Sequence, residues 1–125
     1  MKLHGIDLCF MEIDGYTLFV PVSYRDATQE EIQANTGGCG PGKLGDWFVP
    51  DALLGESIFR ACQIHDWVYY KEVKNKEQKS VADLLLLWNA TVIINDLELL
   101  DRVRLRLVMD YYLAVSFHGD SAAGL

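Results

Sequence analysis

Residues 56 to 73 contain neither glycine nor proline. They are preceded by a stretch of opposite character, Gly37-Gly38-Cys39-Gly40-Pro41-Gly42, with four glycines and a proline in six residues. This contrast constrains the chain more than any other feature. The later segment predicts a helix: Phe59, Cys62, Asp66 and Tyr69 recur at three- and four-residue steps, and Ile58, His65 and Tyr69 line one side. Successive helical residues are turned by about 100°, so His65 and Asp66 point in different directions. One imidazole is then available to a water, and the next carboxylate to a cation. In the earlier segment the glycines let the backbone bend until several carbonyls converge and one N–H points inward. Carbonyl oxygens with a carboxylate suit a hard cation such as calcium.

Gly-Cys-Gly-Pro-Gly at 38 to 42, followed by Cys62-x-x-His65-Asp66-x-x-Tyr69, resembles the calcium loop and catalytic helix of secreted phospholipase A2. The proline inside Gly40-Pro41-Gly42 and the later Val81-Ala82-Asp83 are closer to the viral-capsid and prokaryotic branch of that superfamily. The resemblance covers residues 38 to 42, 59 to 70 and 80 to 90. It implies a disulfide between Cys39 and Cys62. It also implies calcium held by Asp66 and by the carbonyls of Gly38, Gly40 and Gly42, with His65 and Asp83 as the catalytic pair.

The composition agrees with a small enzyme. A chain of 125 residues, 50% hydrophobic, is long enough to bury one core and is expected to form a single domain over 1–125. A net charge of −7 argues against a nucleic-acid partner and against electrostatic docking on anionic lipid, leaving a neutral or zwitterionic surface. His4, Gly5, Asp7, Glu12 and Asp14 interrupt any N-terminal apolar run of the kind a secretory signal needs. No uncharged apolar stretch reaches the roughly 20 residues of a membrane span. The expectation is a soluble chain, extracellular or delivered to a target cell if the disulfide forms. Cys9 is then the odd cysteine.

In chain order, residues 2 to 12 and 16 to 24 alternate loosely between apolar and polar around Asp14-Gly15, which predicts a β-hairpin with a type I′ turn, so that 1–25 is a hairpin and 26–125 a helical core. The secreted family begins with a helix that helps shape its lipid entrance, so the hairpin is a departure. Residues 26 to 31 offer an N-cap and an acidic first turn, predicting a short helix ended by Gly37-Gly38. Residues 43 to 55 carry Trp47, Phe48, Leu53 and Leu54 between glycines and a proline. They read either as a buried plug or as a lipid-contacting rim, where a tryptophan satisfies both its ring and its N–H.

Residues 81 to 88 are apolar nearly all round apart from Asp83, and predict a buried helix. A carboxylate so placed must be paired or hydrogen-bonded. Two helix starts fit the same capping pattern, Asn75-x-x-Gln78 and Ser80-x-x-Asp83. The first sets Asp83 level with His65 in an antiparallel pair, each roughly 12 Å from the turn. The second makes Asp83 an ordinary cap. The early start is the expectation, and Tyr69, one turn beyond His65, then reaches Asp83 as a supporting partner. A last helix is expected over 97–117. The fold class that follows is mainly α: hairpin, short helix, glycine-rich loop, antiparallel helix pair and C-terminal helix.

The chemistry these parts suit is ester hydrolysis by an activated water. His65 takes the proton through one ring nitrogen while Asp83 fixes the tautomer through the other. Calcium and the Gly40 N–H are expected to stabilise the oxyanion. Two other readings of the same residues are weaker. Cys39, Cys62 and His65 lack a fourth ligand for zinc. Cys62 and His65, at i and i+3 of one helix, cannot readily both reach a carbonyl. The implied activity is calcium-dependent hydrolysis of the sn-2 ester of glycerophospholipids at a membrane or micelle surface. The alternative is a catalytically weak lipid- or protein-binding module of a phage or secretion particle.

Overall fold

The computed structural model describes residues 1–37 and 58–95. Three strands, β1 (Lys2–Leu3), β2 (Ile6–Ile13) and β3 (Tyr16–Pro21), form an antiparallel sheet in that order. Both connections are two-residue turns with positive φ throughout: His4 at 50° and Gly5 at 85°, then Asp14 at 55° and Gly15 at 86°. Such turns match the twist of a hairpin, and Gly, Asp and His tolerate the left-handed region better than most residues. The Asp14-Gly15 turn fell where the sequence placed it. The His4-Gly5 turn adds a third strand that the alternation alone did not reveal.

The register pairs Cys9 with Val20, Phe10 with Phe19 and Met11 with Leu18. Cys9, Met11, Ile13, Leu18 and Val20 therefore share one face, and Ile6, Leu8, Phe10 and Phe19 the other. Leu18, Val20, Ile6 and Leu8 are all buried, so both faces of the sheet feed the core. Phe10 remains exposed and stacks on Phe19 at 4.7 Å between ring centroids.

This overturns the mainly α expectation. Of the described residues 21% are strand and 60% helix, a mixed α/β arrangement. The sheet is a layer of the fold because the helices pack directly on it. The buried cluster runs from Ile6 through Val20, Ile32 and Trp67 to Ile94 without a break. Strand β3 is also shorter than the 16–24 expected of it, ending at Pro21. Pro21 has no N–H with which to continue the ladder and stands at the N-terminus of α1 (Val22–Asp26), so residues 22–24 are helical.

Next comes α2 (Gln29–Asn35), capped by the Thr28 hydroxyl, which accepts from Glu31 N–H at 3.1 Å, with Glu30 and Glu31 in the first turn. The two long helices are α3 (Phe59–Lys71) and α4 (Lys76–Asn95). Every residue from Ala61 to Val68 is buried, so α3 runs through the centre. Trp67 is fully covered, and its indole N–H donates to Ser23 Oγ at 3.0 Å. Among the described residues, no helix is long and apolar enough to cross a membrane.

Helix α4 touches the sheet through a side chain that stands in for a strand. Asn89, fully buried, accepts from Phe19 N–H at 2.7 Å and donates to Phe19 C=O at 2.8 Å. Without it, those two groups of an edge strand would meet an apolar helix.

Candidate active site

The position of α4 relative to α3 is decided at Asn75. Its side chain accepts from Gln78 N–H at 2.9 Å, and its carbonyl accepts from Lys79 N–H at 3.0 Å. Gln78 reaches back to accept from Lys74 N–H at 2.7 Å. This is a capping box at the earlier of the two possible starts, displaced by one residue on its return bond. Ser80 caps nothing: its hydroxyl donates to Lys76 C=O within the helix.

With that start, Asp83 comes level with His65. His65 Nε2 lies 2.9 Å from Asp83 Oδ1, and both side chains are buried. Tyr69 donates its phenolic O–H to the same Oδ1 at 2.8 Å, and its ring lies 4.3 Å from the imidazole between centroids. A third partner was not foreseen from sequence. Lys79, itself buried, donates from Nζ to Asp83 Oδ2 at 3.0 Å. The available signal was its spacing: Lys79 and Asp83 are at i and i+4 of one helix.

Burial alone would push the Asp83 carboxyl up. The hydrogen bond and charge of His65, with the hydrogen bonds from Lys79 and Tyr69, outweigh it and hold Asp83 below the ordinary carboxylate range. An ionised carboxylate only accepts, so the proton of the shared bond sits on His65 Nε2, and whenever the imidazole is neutral the lone pair is on Nδ1. That is the tautomer a general base needs if its second nitrogen is to receive a proton.

One residue along α3, Asp66 is buried and accepts Gly37 N–H at 2.9 Å through Oδ2. Asp66 therefore meets the chain at the first residue of the glycine-rich stretch. Gly38, Gly40 and Gly42, the expected carbonyl ligands, lie outside the described residues, as do Cys39 and the loop carrying Trp47, Phe48, Leu53 and Leu54. Among the described cysteines, Cys9 is a free thiol and Cys62, buried on α3, is not. Among the described residues no group of three or more His, Cys, Asp or Glu side chains is gathered to hold a metal. A site built mainly from backbone carbonyls has one such side chain, and Asp66 meets that requirement with an all-oxygen donor.

An apolar cavity of 540 Å³ lies between α4 and the sheet, lined by Leu8, Phe19, Leu84, Leu85, Trp88 and Val92 among others. It includes none of His65, Asp66, Tyr69, Lys79 and Asp83. The charged cluster at the α3–α4 interface is therefore separate from this cavity. Comparison with known proteins returns no matching family model, no matching curated protein and no matching solved structure.

Proposed function

We propose that this chain is a calcium-dependent ester hydrolase of the phospholipase A2 type, acting on the sn-2 ester of glycerophospholipids. The observation that carries the proposal is the His65–Asp83 contact at 2.9 Å, with Tyr69 on the same carboxylate oxygen and Asp66 next in sequence to the imidazole. An isolated His-Asp pair has many uses. A buried one whose geometry leaves one ring nitrogen to accept a proton, beside a carboxylate in contact with a glycine-rich segment, suits hydrolysis by an activated water.

In this reading His65 Nδ1 takes a proton from water as the oxygen attacks the ester carbonyl. The imidazolium that forms is held by Asp83 Oδ1, already bonded to Nε2, so no side chain has to move. When the tetrahedral intermediate collapses, the bond to the alcohol breaks and the leaving oxygen takes the proton back from Nδ1. Fatty acid and lysophospholipid leave, and His65 is neutral again. Asp66, with the carbonyls of Gly38, Gly40 and Gly42, would hold the cation. Calcium, when bound, supplies polarisation of the carbonyl and charge balance for the oxyanion. The Gly40 N–H is assigned as a further oxyanion donor, and Cys39 and Cys62 as a disulfide clipping the loop to α3. Trp47, Phe48, Leu53 and Leu54 are assigned to the lipid surface.

The test is release of fatty acid from mixed phosphatidylcholine micelles in calcium and in excess chelator. Release that requires calcium is the expected result. Folded protein that binds calcium and releases nothing overturns the enzyme reading and leaves a binding module.

A further inference from the structure

Lys79 is a buried lysine, 6% exposed, and an ammonium out of water is tolerated only where its charge is matched. Its match is Asp83, whose two oxygens are divided between partners. Oδ1 takes His65 Nε2 at 2.9 Å and the Tyr69 hydroxyl at 2.8 Å, and Oδ2 takes Lys79 Nζ at 3.0 Å.

Before any proton is taken from water, His65 must be neutral, and Tyr69 is neutral too. Of the three groups bonded to Asp83, Lys79 alone is then positively charged. A desolvated carboxylate without that charge is driven to take up a proton. A protonated carboxyl is a donor and can give its hydrogen bond to Nε2. The ring would then carry its own proton on Nδ1, where the base needs a lone pair. The burial of Asp83 and its hydrogen bond to His65 are therefore not sufficient together, because the same contact fits either tautomer.

We propose that Lys79 is a positioning residue: through Oδ2 it keeps Asp83 an acceptor-only carboxylate and so holds His65 in the Nε2–H tautomer. The kinetic consequence rests on the reading of His65 as a general base. The tautomer itself does not.

The tautomer can be read directly in the full chain by long-range ¹H–¹⁵N spectra of the imidazoles, with His65 assigned by its loss in His65→Gln. On the basic side of the His65 titration, located by following the same spectra with pH, wild-type protein is expected to give a protonated Nε2 and a bare Nδ1. A wild-type spectrum with the proton on Nδ1 overturns the proposal without any variant. Lys79→Met is expected to lose the Nε2–H pattern. Lys79→Gln, which can still donate an N–H but carries no charge, should lose it too, and Lys79→Arg should restore it. A folded Met or Gln variant that keeps the wild-type pattern refutes the role of the charge. In micelle assays the neutral variants should lower kcat by about 10- to 10⁴-fold, the upper figure being the cost of a wrong tautomer in a serine triad, with KM little changed. The expected spectra without any ester hydrolysis would refute the proposed function and leave this inference standing. Hydrolysis with an unmoved tautomer would do the reverse.

Discussion

His65 Nε2 and Asp83 Oδ1 are 2.9 Å apart and eighteen positions apart in sequence. The contact is set by a cap and by helix lengths. His65 lies six residues before Lys71, where α3 ends, and Asp83 seven after Lys76, where α4 begins. An antiparallel pair with so short a connection brings such positions level. Asn75 fixes the start of α4 and so fixes the register of the site.

Replacing His65 with glutamine tests the base. The side chain keeps an amide that can face Asp83, so the fold is expected to survive. Turnover on phosphatidylcholine micelles is expected to fall by roughly 10²–10⁴-fold, the contribution of a lost general base. Near-normal kcat in the variant would mean that another group takes the proton.

Local signals fixed local features. Asp14-Gly15 marked a turn because positive φ at both positions is cheap there, and the Thr28 cap lay within the stretch where one was expected. The two candidate starts of α4 are locally equivalent, and what separates them is the packing of α4 against α3, because only the early start sets Asp83 level with His65. What local reasoning missed is set from far away. Whether a β-ribbon is an appendage or a layer depends on what covers it, and here that includes Asn89, seventy positions from Phe19. A lysine followed four residues later by an aspartate reads as an ordinary surface pair until both are found buried.

Asp66 is expected to be the side chain without which calcium does not bind. Asp66→Asn keeps an oxygen that can accept Gly37 N–H but removes the charge, and Asp66→Lys reverses it. Calorimetry should give no calcium binding in either variant, and hydrolysis should vanish with it. Unchanged calcium affinity in Asp66→Asn would remove this residue from the metal site.

Mass spectrometry of the unreduced protein is expected to find Cys39 linked to Cys62 and Cys9 free. Closing a loop of about 24 residues should contribute roughly 3 kcal/mol where native strain is small. Three alkylatable thiols in the native protein would dismiss the clip and, with it, the need for an oxidising compartment.

Asn89→Ala is expected to destabilise the fold without changing the site. The substitution leaves Phe19 N–H and C=O against apolar side chains with no partner. At about 1–3 kcal/mol for each of the two unsatisfied groups, a loss of roughly 2–6 kcal/mol in urea unfolding is expected, with helix and sheet melting together because they share one core. A loss below about 0.5 kcal/mol would show that the amide bridge is dispensable.

Asp83 should also leave a mark on acid stability, whether or not the protein is a hydrolase. Its carboxyl titrates below the ordinary range in the folded state and within that range when unfolded. Between those two values the unfolded chain binds the proton and the folded chain does not, so the contribution to stability is complete above the ordinary carboxylate pKa. It is lost as pH falls through the folded value. Asp83→Asn removes the titration while keeping a side chain of the same shape. The gap in urea midpoint between wild type and Asp83→Asn should be widest near neutral pH and close progressively on acidification through the carboxylate range. The other carboxylates titrate in both proteins and cancel in that difference. A gap that stays constant from neutral to acid pH would mean that Asp83 gains nothing from being ionised, which would contradict its three donors and the matching of its charge by Lys79.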